Sequence, residues 1–203
     1  MSTKPDICRQ RGLTMIELIV FIIVIGVAVA GVLGTLSSVS KRSADPLVRK
    51  QAMLLAESLL EEVALSHFTY CHPDAANAET ATSSATCASL PEAFGRQAGE
   101  TRPYFNVNDY VSAAAVPASF NPADPSGGNV TDVSGNPMVP AGYRALVTIT
   151  PVAGFGPSGM QIGSAGASAD TDVLRISVDV AFGDNQHIIL ERYRTRYAPN
   201  SVP

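Results

Sequence analysis

The chain of 203 residues has no tryptophan, little charge, and only three cysteines and three histidines. Charged residues make up 16% of the sequence and aromatic residues 6%. The net charge of −4 gives no electrostatic reason to expect nucleic-acid binding, since phosphates attract basic surfaces. The absence of tryptophan also counts against a sugar-binding site in which a sugar stacks on an aromatic side chain.

Groupings of catalytic residues are equally scarce. We find no Ser-His-Asp order, no carboxylate pair and no ligand spacing that is typical of a metal site. The cluster of His67, Cys71, His72 and Asp74 could suggest a metal, but Cys71 has a natural partner in Cys87. We therefore predict that the chain is not an enzyme, against the alternative of a membrane-anchored periplasmic enzyme, and that it holds no cofactor.

A nucleotide motif and a glycosylation motif also occur in the sequence. The run from Gly154 to Gly159 satisfies G-x-G-x-x-G, with Asp179 about 20 residues further on. A loop rich in glycine and serine follows it in place of the required helix, and Asp179 lies in a strand pattern, so we reject this motif. The sequon at Asn129 is explained by the chemistry of exposed turns.

The most distinctive feature is one long apolar run near the N-terminus. From Leu13 to Leu36 there are 24 residues, and Glu17 is the only ionisable side chain among them. As a helix this run would be roughly 36 Å long, enough to cross a hydrocarbon core of about 30 Å. A carboxylate inside such a span costs on the order of 3 kcal/mol, so it rarely lacks a partner or a function.

Two general interpretations of this segment leave Glu17 unexplained. A secretory signal peptide would be cut after Ala30, where Ala28-Val29-Ala30 matches the cleavage pattern, but the apolar run continues past that site. A plain membrane anchor explains the length and the flanking charges. The leader carries a net charge of about +2, which predicts that it stays in the cytoplasm while the rest faces outward.

The third interpretation starts from RGLTMIEL, in which a basic leader ends at Gly12 and the apolar run begins at once. Here the sequence resembles the type IV pilin family, whose precursors lose a short charged leader to a dedicated prepilin peptidase. Family members most often continue with Phe-Thr-Leu-Ile-Glu-Leu, where this chain has LTMIEL. The resemblance implies cleavage between Gly12 and Leu13, methylation of the new N-terminus at Leu13, and a role for Glu17 in assembly.

The chemistry of the cut agrees with this interpretation. Cleavage after Gly12 creates an α-amine at Leu13 whose unperturbed pKa of about 8 leaves it largely cationic. Leu13 and Glu17 are four residues apart and share one helix face. The carboxylate can therefore meet the ammonium of its own chain or of a neighbour, which offsets the desolvation of both.

Glycines punctuate the apolar segment. Gly26, Gly31 and Gly34 each weaken the helix, since glycine costs about 1 kcal/mol relative to alanine. They favour either close helix packing in a membrane or a segment that extends when subunits leave the bilayer for a fibre.

Beyond the apolar run, the pattern predicts a second helix and a disulfide. Asp45-Pro46 is predicted to restart a helix that ends near Ser66. One apolar face of this helix comprises Val48, Ala52, Leu55, Leu59 and Val63. Cys71 and Cys87 both follow the span and enclose 15 residues, so we predict a disulfide worth about 3 kcal/mol.

The last third of the chain has the period of a sheet. Alternating apolar residues predict strands in YRALVTITPV and VLRISVDVAF, and GDNQ predicts a hairpin turn into HIILERYRTRYA. A further short strand is predicted in YFNVNDYV. Arg192, Arg194 and Arg196 share one face of the last strand, which is typical of a charged edge or, alternatively, of a docking surface for an acidic neighbour. Because Ile188 and Leu190 share their parity, we also predict a bulge near Glu191.

These observations predict an α+β fold in which a long N-terminal helix packs on an antiparallel sheet, as the resemblance to pilins implies. The expected segments are the leader 1–12, the transmembrane and assembly helix 13–36, the amphipathic helix 37–66, a variable disulfide-containing region 67–142 and the sheet 143–203.

The resemblance also implies a function and a set of partners. The expected function is that of a minor pilin, with a type II secretion pseudopilin and a surface-binding tip adhesin as alternatives. The implied partners are major and minor pilins, the prepilin peptidase and the assembly platform of the bacterial inner membrane. The head is expected in the periplasm before it enters the pilus.

Overall fold

The computed structural model describes residues 14–163, 170–183, 185–196 and 200. The chain divides into two compact units, Met1–Leu47 and Val48–Pro203. A single α-helix, α1, runs over Met15–Leu65, and the four strands β1 to β4 all lie in the second unit.

The prediction of a helix restart at Asp45-Pro46 is wrong. Helix α1 continues through Pro46 without a break. Proline has no N–H, so the helix loses one backbone hydrogen bond there. The turns that follow Val48 are stabilised as a helix because their apolar residues are buried on one face.

The predicted inward face of the second half of α1 is confirmed. Ala52, Leu55, Leu59 and Val63 are buried, and Val48 is half-buried against the same hydrophobic core. The core also contains the inward side chains of the two central strands, which are Ala145, Val147, Ile149, Leu174, Ile176, Val178, Val180 and Phe182.

The sheet is a four-stranded antiparallel meander. Its strands are β1 (Ala118–Ser119), β2 (Arg144–Pro151), β3 (Val173–Phe182) and β4 (Gln186–Thr195), in that order across the sheet. Burial alternates along β2 and β3, as the sequence period predicts. Phe182 pairs with Gln186 across the predicted hairpin, where Gly183 and Asn185 adopt positive φ.

One strand prediction is wrong, and one strand was not predicted. The segment YFNVNDYV forms a 3₁₀ helix, Val107–Tyr110, because Asn106 and Asp109 cap it reciprocally. The Asp109 Oδ2 atom accepts a hydrogen bond from the Asn106 N–H at 2.8 Å, which turns the backbone away from an extended path. The strand at Ala118–Ser119 was not expected.

The predicted bulge near Glu191 is also wrong. Strands β3 and β4 pair residue for residue from Val173 with Thr195 to Phe182 with Gln186. The arginines therefore keep the parity of the half-buried Ile188 and Leu190, and two of them bind main-chain oxygen. The Arg194 Nη2 atom donates to the Ser66 carbonyl at 3.3 Å, just beyond α1, and the Arg196 Nη1 atom donates to the Phe68 carbonyl at 3.2 Å.

Candidate functional site

The N-terminal end of α1 places Glu17 in its first turn. Thr14 precedes the helix, and its hydroxyl oxygen accepts a hydrogen bond from the Glu17 N–H at 3.4 Å. Glu17 is thus the third helical residue of a Thr-x-x-Glu pattern, the sequence of a capping box. An acidic side chain here also interacts favourably with the positive end of the helix dipole.

The predicted cleavage site lies outside the described residues, since these begin at Thr14. Cleavage between Gly12 and Leu13 and methylation at Leu13 therefore remain predictions. Because α1 starts at Met15, Glu17 lies in the first turn of the helix, close to the end that cleavage would create.

The apolar part of α1 is long enough to span a membrane. Among the described residues, Met15–Ser37 is the one candidate span, with 23 residues and a mean hydropathy of 3.0. Every residue from 14 to 37 is exposed. A side chain added at Gly26, Gly31 or Gly34 would meet nothing within 4 Å. Such a surface needs a bilayer or neighbouring helices to cover it.

A partly buried ion pair ties α1 to the loops of the head. Arg102 binds Glu62 through two parallel hydrogen bonds, one of them 2.6 Å from Nε to Oε1. The Arg102 Nη1 atom also donates to the carbonyls of Phe120 at 3.1 Å and Thr131 at 2.6 Å. The Tyr110 hydroxyl donates to Glu62 Oε1 at 3.0 Å, and burial raises the pKa of this tyrosine, so it stays a donor.

The structure joins Cys71 and Cys87 by a disulfide, with Cα atoms 5.8 Å apart. The enclosed loop has a second brace. The Asn77 side chain donates to the Thr86 carbonyl at 2.8 Å and accepts from the Ala88 N–H at 2.6 Å. This polar segment is therefore held at both ends without a large apolar core of its own.

The histidines near the disulfide pack against an aromatic ring. His67 stacks on Phe105 with ring centroids 4.6 Å apart, and His72 lies 5.4 Å from the same ring. The His72 Nδ1 atom is 3.5 Å from an Asp74 carboxylate oxygen. Within the described residues, no three His, Cys, Asp or Glu side chains are grouped to hold a metal ion.

The glycine-rich run forms a closed loop. Phe155 and Ile162 exchange backbone hydrogen bonds at 2.9 Å and so close the turns around Gly154 to Gly159. No helix follows these glycines in the part of the chain that the structure describes. Phosphate binding at a helix N-terminus therefore has no geometric basis there.

A group of buried polar side chains, comprising Glu92, Asn108 and Asp109, was missed by the sequence analysis. Burial raises the pKa of Glu92 to about 8, with Glu100 adding to the shift and Arg196 opposing it. Burial likewise raises the pKa of Asp109 to about 8, and the charges of Glu92 and Glu100 contribute. A lone acid in PEAFG gives no local signal of burial.

These shifts predict that stability falls as the pH rises. The two carboxyls have ordinary pKa values near 4, so folding takes up protons between pH 4 and 8. Their contribution is complete below the unfolded pKa and is lost as the pH rises through the folded pKa. In buffer with chelator, we expect the free energy of unfolding to drop by at least about 2 kcal/mol from pH 5 to pH 8.

Urea unfolding of the full chain in detergent at the two pH values measures this drop. Glu92→Gln should remove roughly half of it, since Asp109 still titrates, whereas Glu79→Gln, at an exposed site, should leave it unchanged. A free energy of unfolding that rises or stays level between pH 5 and pH 8 would contradict the prediction.

The fold and the N-terminal motif are both consistent with one class of protein. A long apolar N-terminal helix followed by an antiparallel four-stranded sheet is the α+β arrangement of type IV pilin-like proteins. Residues 7–33 match the prokaryotic N-terminal methylation motif. This match supports a pilin-like or pseudopilin-like subunit, a class that is generally structural and non-catalytic. No curated protein and no solved structure is significantly similar to the chain.

Proposed function

We propose that this chain is a minor pilin, a non-catalytic subunit that helps to initiate, cap or decorate a type IV pilus. The main support is the methylation motif over residues 7–33. It overlaps an exposed apolar helix in which Glu17 is the only ionisable side chain before Ser37. The helix supplies the surface that packs in the fibre, and the sheet and loops supply contacts of the head.

A more specific proposal rests on resemblance in three segments. We interpret three segments, VFIIVIGVAVAGVL, SADPLVRKQAMLLAESLLEEV and FTYC, as resembling the minor pilin-like D protein of the mannose-sensitive haemagglutinin (MSHA) pilus system. The proposed partners are therefore the major and minor pilins of such a pilus, its prepilin peptidase and its assembly platform.

The proposed topology follows from charge and redox chemistry. The basic leader stays in the cytoplasm, the segment Met15–Ser37 crosses the inner membrane, and the head faces the periplasm. A disulfide between Cys71 and Cys87 suits that oxidising compartment. Assembly then moves the subunit from the membrane into the fibre.

Glu17 is the proposed assembly residue. Before cleavage, the chain offers no ammonium at Leu13. After cleavage between Gly12 and Leu13, the α-amine stands four residues before the carboxylate, and a neighbouring subunit can present the same group. The ion pair is worth most in an apolar surrounding, where both charges lack water.

Intact mass spectrometry of the mature protein from membranes tests the proposal. We expect a chain that begins at Leu13 and carries one added methyl group. A chain that begins at Gly31 would show that the segment is an ordinary signal peptide and would overturn the proposal.

Pull-down of neighbouring subunits separates the pilus from the secretion system. A minor pilin co-purifies with pilus subunits, and its loss changes the number of pili. A type II secretion pseudopilin shares every N-terminal feature but co-purifies with secretion components, and its loss stops secretion.

A further inference from the structure

Three loop segments of the head lie side by side next to the disulfide. The Glu92 N–H donates to the Tyr70 carbonyl at 2.8 Å, and the Gly95 N–H donates to the Asn108 carbonyl at 3.2 Å. Residues 92–95 are thus hydrogen-bonded on one side to the disulfide segment and on the other to the 3₁₀ helix.

Three buried polar side chains of these segments have atoms without a hydrogen-bond partner, and Glu92 is near enough to Asp109 to act on it electrostatically. Glu92 is 1% exposed, and both of its carboxylate oxygens lack a hydrogen-bond partner among the described residues. Asn108 is fully buried at 0%, and its amide oxygen and nitrogen lack partners in the same described part of the chain. Asp109 is 4% exposed, and its Oδ1 atom has none there either.

Native proteins seldom leave buried polar atoms unpaired, because each one costs about 1–3 kcal/mol, and more if it is charged. The Asp109 Oδ2 atom is already used by the Asn106 N–H, so the side chain is held in place with Oδ1 free to bind another group. Glu92, by contrast, is buried with no hydrogen bond from the described residues to either oxygen. Such buried oxygens are suited to coordinate a cation that prefers oxygen ligands.

We propose that Glu92, Asn108 and Asp109 bind one calcium ion. Together they offer four unpaired oxygens: two from Glu92, one from Asn108 and one from Asp109. Calcium takes six to eight oxygen ligands from carboxylates, amides, carbonyls and water, and it accepts a bidentate glutamate. The two carboxylates balance the charge of the ion, and main-chain oxygen atoms would complete the shell.

The donor chemistry favours calcium over the other common divalent ions. Zinc prefers nitrogen and sulfur ligands, and the three proposed ligands supply oxygen alone. Magnesium demands near-ideal octahedral geometry and keeps several waters, which a fully buried carboxylate and amide do not accommodate well. Two further charged side chains act on Glu92, Glu100 and Arg196, and they are opposite in sign.

Equilibrium dialysis of the full chain against radioactive calcium tests the proposal. The protein is purified in detergent, stripped with chelator and titrated with CaCl₂. We expect about one calcium ion per chain, with a dissociation constant on the order of 10⁻⁴ to 10⁻³ M as in extracellular modules. MgCl₂ should compete poorly, and equal competition by MgCl₂ would overturn the assignment to calcium.

Two conservative variants separate binding from folding. Glu92→Gln and Asp109→Asn keep the shape of the side chain but remove its charge and replace one ligand oxygen by an NH2 group, so each should weaken calcium binding at least about tenfold. Glu79→Gln makes the same charge change at an exposed site and should bind calcium as the unaltered chain does.

Thermal unfolding supplies the second readout. CaCl₂ should raise the melting temperature of the unaltered chain and of Glu79→Gln but not that of Glu92→Gln, although all three remain folded. The proposal is overturned if the unaltered chain takes up no calcium at millimolar concentration, or if Glu92→Gln binds calcium as tightly as the unaltered chain.

Discussion

Replacing Arg102 with methionine should lower the free energy of unfolding of the head by about 3 kcal/mol, because it leaves the largely buried charge of Glu62 without its partner. The Arg102 and Glu62 side chains are only 7% and 16% exposed. The substitution also removes the donor to the Phe120 and Thr131 carbonyls, so the end of α1 and two loops lose a common anchor.

Urea unfolding in detergent, followed by near-ultraviolet circular dichroism of the tyrosines, measures the loss, since the chain has no tryptophan. Glu62→Gln combined with Arg102→Met should cost less than the sum of the single changes, because no unpaired charge remains. The matched control is Arg175→Met, which breaks an exposed pair with Glu191 at 3.7 Å and should cost less than about 1 kcal/mol. Equal losses for the two arginines would contradict the prediction.

The sequence predicted the elements whose burial is periodic. Alternation along Tyr143 to Ile149 and along Leu174 to Phe182 located two strands, since one face of each must be buried. Helical spacing located the inward face of α1. The break at Pro46 and the bulge at Glu191 were wrong because each was inferred from a local rule that packing or distant contacts overrode.

The contacts between distant loops could not be predicted. Glu62 lies three residues after Leu59, at the margin of the apolar face, and this was the one signal that it is not an ordinary surface acid. Its partner Arg102 is 40 positions away, and no periodicity connects the two. The burial of Glu92 could not be predicted either, because the segments that cover it precede and follow it in the chain.

Replacing Glu17 with alanine should leave leader cleavage intact and reduce incorporation into fibres at least about tenfold. A tenfold loss corresponds to about 1.4 kcal/mol of subunit contact, which is less than an ion pair in an apolar surrounding can supply. Mass spectrometry reports cleavage, and immunoblots of sheared fibres and membranes report the distribution of the subunit. Normal incorporation of this variant would contradict the role of Glu17 in assembly.

Two roles of Glu17, capping of the helix and pairing with an α-amine, can be separated by further variants. As the third residue of a Thr-x-x-Glu pattern it can stabilise the start of α1, and glutamine can replace it in that role, whereas only the carboxylate can pair with an α-amine. If the ion pair drives assembly, Glu17→Gln should fail as Glu17→Ala does, while Thr14→Ala, which weakens the cap by about 1 kcal/mol, should still assemble. Assembly by Glu17→Gln together with failure of Thr14→Ala would instead assign Glu17 to the helix cap, and the α-amine at Leu13 would need another partner.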